Sequence, residues 1–199
     1  MGTRNLTCVV ADGEFKVAQY GQWDGYPSGQ GATVYRFLKA NADRLDEFKA
    51  LVSSLPVVTD ADLENRWVEC GKDPDSGWAT IAVSSLFGER YPHLSRDCGA
   101  FVLELILAGE VDCVKLEQSF AASSLFCEWA YVLDLDRNVL EVYEGFVKEP
   151  HEGQRFSSLP RDEEEEYYPI KLLREFPFAE LPATVEEYIE ILEPAEEED

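Results

Sequence analysis

Polar and aromatic side chains are concentrated in the segment QYGQWDGYPSGQG, residues 19–31. Gln22, Trp23, Asp24 and Tyr26 within it are residue types that recognise ligands, because they combine directional hydrogen-bonding groups with flat apolar rings. The alternative is a purely structural turn, in which the four glycines supply backbone freedom, the proline restricts φ and the rings cover the edge of a hairpin. We expect this segment, called here the 19–31 loop, to be the recognition surface for a small ligand or a protein partner.

A second group of candidate residues lies in SRDCGAF, residues 95–101. The pattern predicts a helix that begins here, so Arg96 and Asp97 would lie at its N-terminus and approach the 19–31 loop. A cysteine at a helix N-terminus can act as a nucleophile, and Cys98 with His151 would then resemble a cysteine hydrolase. The residues fit better with a capped core helix in which Cys98 is a small packing residue.

The N-terminal strands also resemble, in topology, the beginning of N-terminal-nucleophile hydrolases, whose first residue attacks an amide bond. Removal of the initiator methionine would expose Gly2, which carries no nucleophile, and Thr3 lies one residue further along the chain. This hydrolase topology is the main alternative to a binding protein. No metal-ligand spacing and no cofactor motif is recognisable, so we expect neither a metal nor a cofactor.

The candidate residues follow a predicted β-hairpin. Its strands cover residues 3–10 and 15–21, and the turn is Asp12-Gly13, a strong hairpin signal. Pairing outward from that turn places Leu6, Cys8 and Val10 on a core face together with Phe15 and Val17, and the other face is mixed. Arg4 and Gln19 extend the core face at its open end, where we expect Asp24 to be the acidic partner of Arg4.

Helical spacing of apolar residues predicts helices after this hairpin. One covers residues 31–55 with a break near Asn41, a second begins at Thr59, a third covers residues 78–89, and the most apolar begins at Ser95. Thr184 is predicted to cap a closing helix.

A second hairpin is predicted in WAYVLDLDRNVLEVYEG, with its turn at Arg137-Asn138. This register aligns Leu135 with Leu140 and directs Asp134 and Glu141 to solvent. A further strand is predicted in YYPIKLL, residues 167–173, and the acidic run at 162–166 is predicted to be an exposed loop.

The order of these elements predicts an α+β fold. We expect one domain over residues 1–193, in which the N- and C-terminal hairpins form an antiparallel sheet of about five strands around a central helical segment. Residues 194–199 are predicted to be an acidic flexible tail.

The composition limits the partners of the protein. Its 199 residues carry a net charge of −23, and residues 161–199 contain fifteen acidic and three basic side chains. Such a surface repels nucleic-acid phosphate and anionic lipid and favours a basic protein partner. The five cysteines are odd in number and show no close pair, and no signal peptide or membrane span is evident, so we expect a soluble protein of the cytoplasm or the nucleus.

The motifs GTRNLT, KVAQYGQWDGYPSGQG and FCEWAYVLDLD resemble those of a family of small uncharacterised proteins found in fungi and bacteriophages. The resemblance covers most of the chain. It implies no established activity. In that family the position of Cys98 is often threonine, so the resemblance also implies no role for a thiol at this position.

Overall fold

The computed structural model describes residues 2–161 and 166–193. They form an α+β domain with one five-stranded sheet, which confirms the predicted fold class. In chain order, the strands are β1 (Asn5–Ala11), β2 (Glu14–Gly21), β3 (Trp129–Asp134), β4 (Val139–Glu144) and β5 (Lys171–Pro177). Across the sheet, their order is β2-β1-β3-β4-β5. The predicted tail at 194–199 and residues 162–165 of the predicted acidic loop lie outside the described residues.

The sheet is mixed, whereas a wholly antiparallel sheet was predicted. β1 pairs with β3 in parallel, from Asn5 opposite Trp129 to Val10 opposite Asp134, and the other three pairings are antiparallel. Parallel neighbours need a long crossover connection, and the helical segment between the two hairpins supplies it. The chain therefore enters β3 in the same direction as β1.

The first hairpin contains a β-bulge. On the side of the bulge away from the turn, the strand register is shifted by one residue from the predicted register. The strands pair Ala11 with Glu14 next to the turn, but the register shifts between Val9 and Val10, so that Val9 faces Val17. The extra residue in β2 reverses which face each later side chain occupies. Val17 therefore lies on the face opposite to Leu6 and Cys8, and both faces of β1 are buried.

The second hairpin pairs Leu133 with Leu140, not Leu135 with Leu140 as predicted. The prediction that Asp134 and Glu141 face solvent was also wrong, since they are 3% and 2% exposed. They share a face with Leu6 and Cys8, and the connection between β4 and β5 covers that face of the sheet.

Six α-helices are present among the described residues: α1 (Ala32–Ala40), α2 (Leu45–Ser54), α3 (Asp60–Glu69), α4 (Ile81–Arg90), α5 (Val102–Leu107) and α6 (Val185–Leu192). The predicted break near Asn41 is confirmed between α1 and α2. Thr59 and Thr184 cap α3 and α6, as predicted, by accepting hydrogen bonds from the backbone N–H groups of Asp62 and Glu187.

The helix that was predicted to begin at Ser95 begins only at Val102, after a 3-10 turn over residues 99–101. Gly99 has a φ of +51°, a left-handed conformation that a continuous right-handed helix does not contain. Arg96 and Asp97 therefore lie in a turn, residues 95–98, and not at a helix N-terminus.

Three groups of buried apolar residues build the core. The largest packs α1, α2, α5 and α6 against one face of the sheet. The second lies on the opposite face, where Phe156 and Ile170 from the β4–β5 connection cover the strands. The third is small and joins α3 to α4, with the Trp67 and Phe87 rings stacked at 3.8 Å. Throughout residues 2–161 and 166–193, every helix is too short or too polar to cross a lipid bilayer.

Candidate functional site

The 19–31 loop is attached to the 95–98 turn by hydrogen bonds. The Gln22 backbone N–H donates to the carbonyl oxygen of Arg96 at 2.9 Å, and Gln19 Nε2 donates to the carbonyl oxygen of Ser95 at 3.1 Å. The bulge in β2 makes the second bond possible, because it turns Gln19 away from the face of Leu6. Two segments more than 70 residues apart in sequence are thereby fixed side by side.

Several polar side chains of the 19–31 loop form hydrogen bonds within the protein. Gln30 Oε1 accepts the Ala100 backbone N–H at 2.7 Å, and Gln30 Nε2 donates to the carbonyl oxygen of Trp23 at 3.3 Å. Gln22 Oε1 accepts the Tyr20 hydroxyl at 2.6 Å. The amide of Gln22, a predicted ligand-binding group, is thus already hydrogen-bonded within the protein.

Tyr131 of β3 supports the loop from below. Its hydroxyl donates to the carbonyl oxygen of Gly25 at 2.8 Å in a buried position. A Cβ atom at Gly31 would lie 2.8 Å from the same hydroxyl oxygen, so the backbone passes directly over the ring. The loop is therefore seated on the sheet and preformed.

Trp23 and Asp97 are brought together as the sequence suggested. The indole Nε1–H donates to Asp97 Oδ1 at 2.7 Å, while 46% of Trp23 stays exposed to solvent. Arg96 Nε lies 4.0 Å from the same oxygen, and both side chains of this ion pair are mostly exposed. Tyr26 is 49% exposed.

Arg4 does not pair with Asp24, so this prediction was wrong. Its guanidinium lies 3.5 Å from Glu128 Oε1 and 4.9 Å from the centre of the Phe126 ring, on the β3 side of β1. Asp24 is exposed, and its carboxylate has no hydrogen bond or ion pair with any residue in the described ranges. The predicted site residues therefore divide into an Arg4 group and a Trp23–Asp97 group.

A concavity of about 590 Å³ lies beside the Trp23–Asp97 pair, between the start of α1, the 95–98 turn and α4. A second concavity of about 580 Å³ lies on the other side of the turn, towards α3. Four polar residues line both: Ser84, Ser85, Ser95 and Asp97. We call the two concavities together the α4 groove. Sequence analysis did not select Ser84 or Ser85, because their side chains become part of a site only when α4 packs across the 95–98 turn.

The two parts of the α4 groove differ in charge. Glu89 and Asp97 are the charged residues among those that line the first part, which also contains Gln30, Thr33 and Phe101. The second part contains Arg96 and Lys115 as well as Asp97, with Trp67 and Ile81 as apolar walls. The first part is therefore suited to a cationic group next to an apolar one.

Exposed apolar side chains surround the groove. Phe101, which lines its first part, is 52% exposed, and Ile81 at the start of α4 is 88% exposed. Trp78, three residues before Ile81, is 79% exposed. Apolar surface of this kind, next to polar groups, is typical of interaction sites.

The cysteine hydrolase hypothesis finds little support in the geometry. Cys98 is buried, and burial raises the pKa of its thiol to about 12, which opposes thiolate formation. The 3-10 turn that follows Cys98 contacts β1 and β2, whereas His151 Nε2 lies 3.0 Å from the carbonyl oxygen of Pro169, just before β5 at the opposite edge of the sheet. Cys98 packs in the core on one face of the sheet and Ile170, next to Pro169, packs on the other face, so the sheet lies between Cys98 and His151.

The N-terminal-nucleophile alternative requires a free nucleophile at the beginning of the chain. Thr3 is 7% exposed, and its carbonyl oxygen accepts the Gly25 backbone N–H at 2.9 Å. A Cβ atom at Gly2 would overlap the Trp23 ring. Residues 2 and 3 therefore pack against the 19–31 loop.

Comparison of the chain with protein-family models, with curated proteins and with solved structures found no significant match. The resemblance to small fungal and bacteriophage proteins therefore stays a prediction.

Proposed function

We propose that the protein is a binding module whose α4 groove takes up a basic segment of a partner protein. The observation that carries this proposal is the charge of the first part of the groove, where Glu89 and Asp97 are the charged lining residues. An arginine or lysine side chain of the partner would enter this part. Its neighbouring apolar residues would lie on the exposed rings of Trp23 and Phe101.

The Trp23 hydrogen bond supports this role for Asp97. It fixes one carboxylate oxygen, Oδ1, at 2.7 Å from the indole nitrogen. The other oxygen, Oδ2, accepts no hydrogen bond from the described residues and stays available to a guanidinium or ammonium group. A carboxylate that is already oriented loses little conformational entropy when it binds a ligand.

The net charge of the whole protein also favours a basic partner. With a net charge of −23, the protein attracts basic partners and repels nucleic acids and anionic membranes. We expect the association to weaken as salt is added, because salt screens exposed charges over about 8–10 Å.

The proposal can be tested with synthetic peptides and fluorescence anisotropy. The probe is a fluorescein-labelled ten-residue peptide with two arginines and two leucines among glycines and serines. The comparison peptides replace arginine by citrulline, its neutral isostere, or by glutamate. We expect the citrulline peptide to bind at least tenfold more weakly, which corresponds to about 1.4 kcal/mol, and the glutamate peptide not to bind.

Two double variants then locate the binding surface. Glu89→Gln/Asp97→Asn removes both carboxylates from the first part of the groove, and the asparagine Oδ1 can still accept the Trp23 hydrogen bond. Asp46→Asn/Glu152→Gln removes two exposed carboxylates elsewhere and makes the same change in net charge. We expect at least tenfold weaker binding for the first variant only. Equal binding of the three peptides, or equal losses in the two variants, would contradict the proposal.

A further inference from the structure

A second cluster of reactive side chains lies away from the first part of the α4 groove. His93 follows α4, and Asp112 and Cys113 follow α5, so residues 19 and 20 positions apart in sequence meet in space. His93 and Cys113 are 5% and 4% exposed, while Asp112 reaches the surface. Their ligand atoms all lie within 4.8 Å of one another.

The spacing of these three atoms is close to the edges of a metal coordination tetrahedron. His93 Nε2 lies 3.1 Å from Asp112 Oδ1 and 3.8 Å from Cys113 Sγ, and the sulfur lies 3.4 Å from the same oxygen. Ordinary zinc bonds to nitrogen, oxygen and sulfur, placed at tetrahedral angles, give edges of roughly 3.4–3.6 Å. Each observed distance differs from these edges by a few tenths of an ångström.

We propose that His93, Asp112 and Cys113 bind one divalent metal ion of the zinc class. A nitrogen, an oxygen and a sulfur ligand together favour a borderline-soft ion over Mg²⁺ or Ca²⁺, which prefer oxygen alone. His93 and Asp112 also line a surface concavity of about 380 Å³. A fourth ligand, water or a small molecule, would reach the ion from this concavity.

Arg66 supports the carboxylate ligand. Its Nη2 donates to Asp112 Oδ2 at 2.7 Å and its Nη1 donates to Oδ1 at 3.1 Å. Metal binding takes up Oδ1, and the shorter bond to Oδ2 keeps the carboxylate oriented, as is usual for groups around a metal ligand. The negative charges of the carboxylate and the thiolate would balance the divalent ion, and Arg66 adds one positive charge beside the carboxylate.

Metal binding would change the protonation of Cys113 and the position of the His93 ring proton. Binding through sulfur replaces the thiol proton of Cys113, which goes to solvent, so one proton is released for each metal ion. His93 coordinates through Nε2, and its ring proton then resides on Nδ1. That atom is buried and has no hydrogen-bond partner among the described residues, so coordination exchanges the Nε2–Asp112 hydrogen bond for a metal bond and leaves the Nδ1–H group unpaired.

The site would also stabilise the helices that form the α4 groove. His93 belongs to the segment that joins α4 to the 95–98 turn, and Cys113 packs in the small apolar cluster with Phe87 of α4. A metal ion bound only in the folded state raises its stability by mass action. We therefore expect the metal to hold α4 more firmly against the rest of the domain.

The experiment is a Co²⁺ titration of the full chain after treatment with a chelator. We expect the ligand-field bands of tetrahedral cobalt and a sulfur-to-cobalt charge-transfer band, both saturating at one ion per chain. We also expect equimolar Zn²⁺ to displace the cobalt and to raise the thermal midpoint. If the wild-type protein shows no such bands, or if Zn²⁺ leaves its midpoint unchanged, the proposal is overturned without the use of any variant.

Variants then identify the ligands. We expect His93→Gln and Cys113→Ser each to weaken cobalt binding at least tenfold and to remove the tetrahedral bands. The matched controls are Cys70→Ser, which changes another buried cysteine of the same apolar cluster, and His151→Gln, which changes the other histidine. Bands that survive in either ligand variant, or that disappear equally in the controls, would overturn the assignment.

Discussion

Arg155 clamps two buried carboxylates on the second face of the sheet. Its Nη2 lies 2.6 Å from Asp134 Oδ2 and 2.7 Å from Glu141 Oε1, and its Nε donates to Glu141 Oε2 at 2.7 Å. The two carboxylate side chains are only 4% and 3% exposed, and that of Arg155 is 21% exposed. Arg155 also ties the β4–β5 connection to the strands. We expect Arg155→Met to be one of the most destabilising single substitutions on this face.

The expected loss of unfolding free energy follows from the burial of the two carboxylates that Arg155 contacts. Removing one member of a buried ion pair costs about 3–5 kcal/mol, because the remaining charge is left unpaired in a poorly polarisable environment. Arg137 still pairs with Glu141 at 2.8 Å, which places the expected loss at the lower end, about 3 kcal/mol. For a domain of this size, such a loss lowers the thermal midpoint by about 6–12 °C.

The assay is urea denaturation together with thermal melting, and Arg137→Met is the matched control. Arg137 contacts the same Glu141 carboxylate, but its side chain is 52% exposed. We therefore expect the control to lose about 1 kcal/mol or less. Similar losses for Arg155→Met and Arg137→Met, or a loss below about 1 kcal/mol for Arg155→Met, would show that these carboxylates are solvated and that the reasoning from burial is wrong.

Two further predictions concern the turn of the first hairpin and the base of the 19–31 loop. The Lys49 ammonium and the Gly13 backbone N–H lower the pKa of Asp136 to about 2, so its ionic contribution is present above about pH 4 and is lost as the pH falls through about 2. We expect the difference in thermal midpoint between the wild type and Asp136→Asn to shrink over that window, and a difference that does not change with pH would contradict this. Tyr131→Phe leaves the buried carbonyl of Gly25 without its 2.8 Å hydrogen bond and should cost about 1–3 kcal/mol in urea denaturation, whereas an unchanged midpoint would mean that the loop is not seated on this hydroxyl.

Several features that depend on neighbouring residues were predicted correctly from the sequence. The Asp12-Gly13 turn forms with both residues at positive φ, as a two-residue hairpin turn requires. The cap at Thr59 and the break at Asn41 occur where the residue types indicated them. In each case the determining interactions join residues only a few positions apart, so the local sequence contains the information.

Features that depend on packing between distant segments were predicted less well. A single bulge residue in β2 moved both Val17 and Gln19 to the face of the sheet opposite to the predicted one. No turn or propensity signal in the sequence marks that residue. Asp134 and Glu141 have the alternation of a solvated strand face, and they are buried because Arg155, more than ten residues further along the chain, neutralises them.

The candidate site shows the same division. The sequence by itself indicated that the 19–31 loop contains recognition-type residues, because residue type is sufficient for that inference. It also led us to expect Asp97 near this loop, although the helix N-terminus on which that expectation rested is absent. Only the tertiary structure decided that the glutamines hold the loop, that Arg4 pairs with Glu128, and that α4 completes a groove. It likewise brought His93 to Asp112 and Cys113. The physical reason is that a groove or a ligand cluster is formed by side chains far apart in sequence, whose meeting depends on how whole elements pack and not on any local pattern.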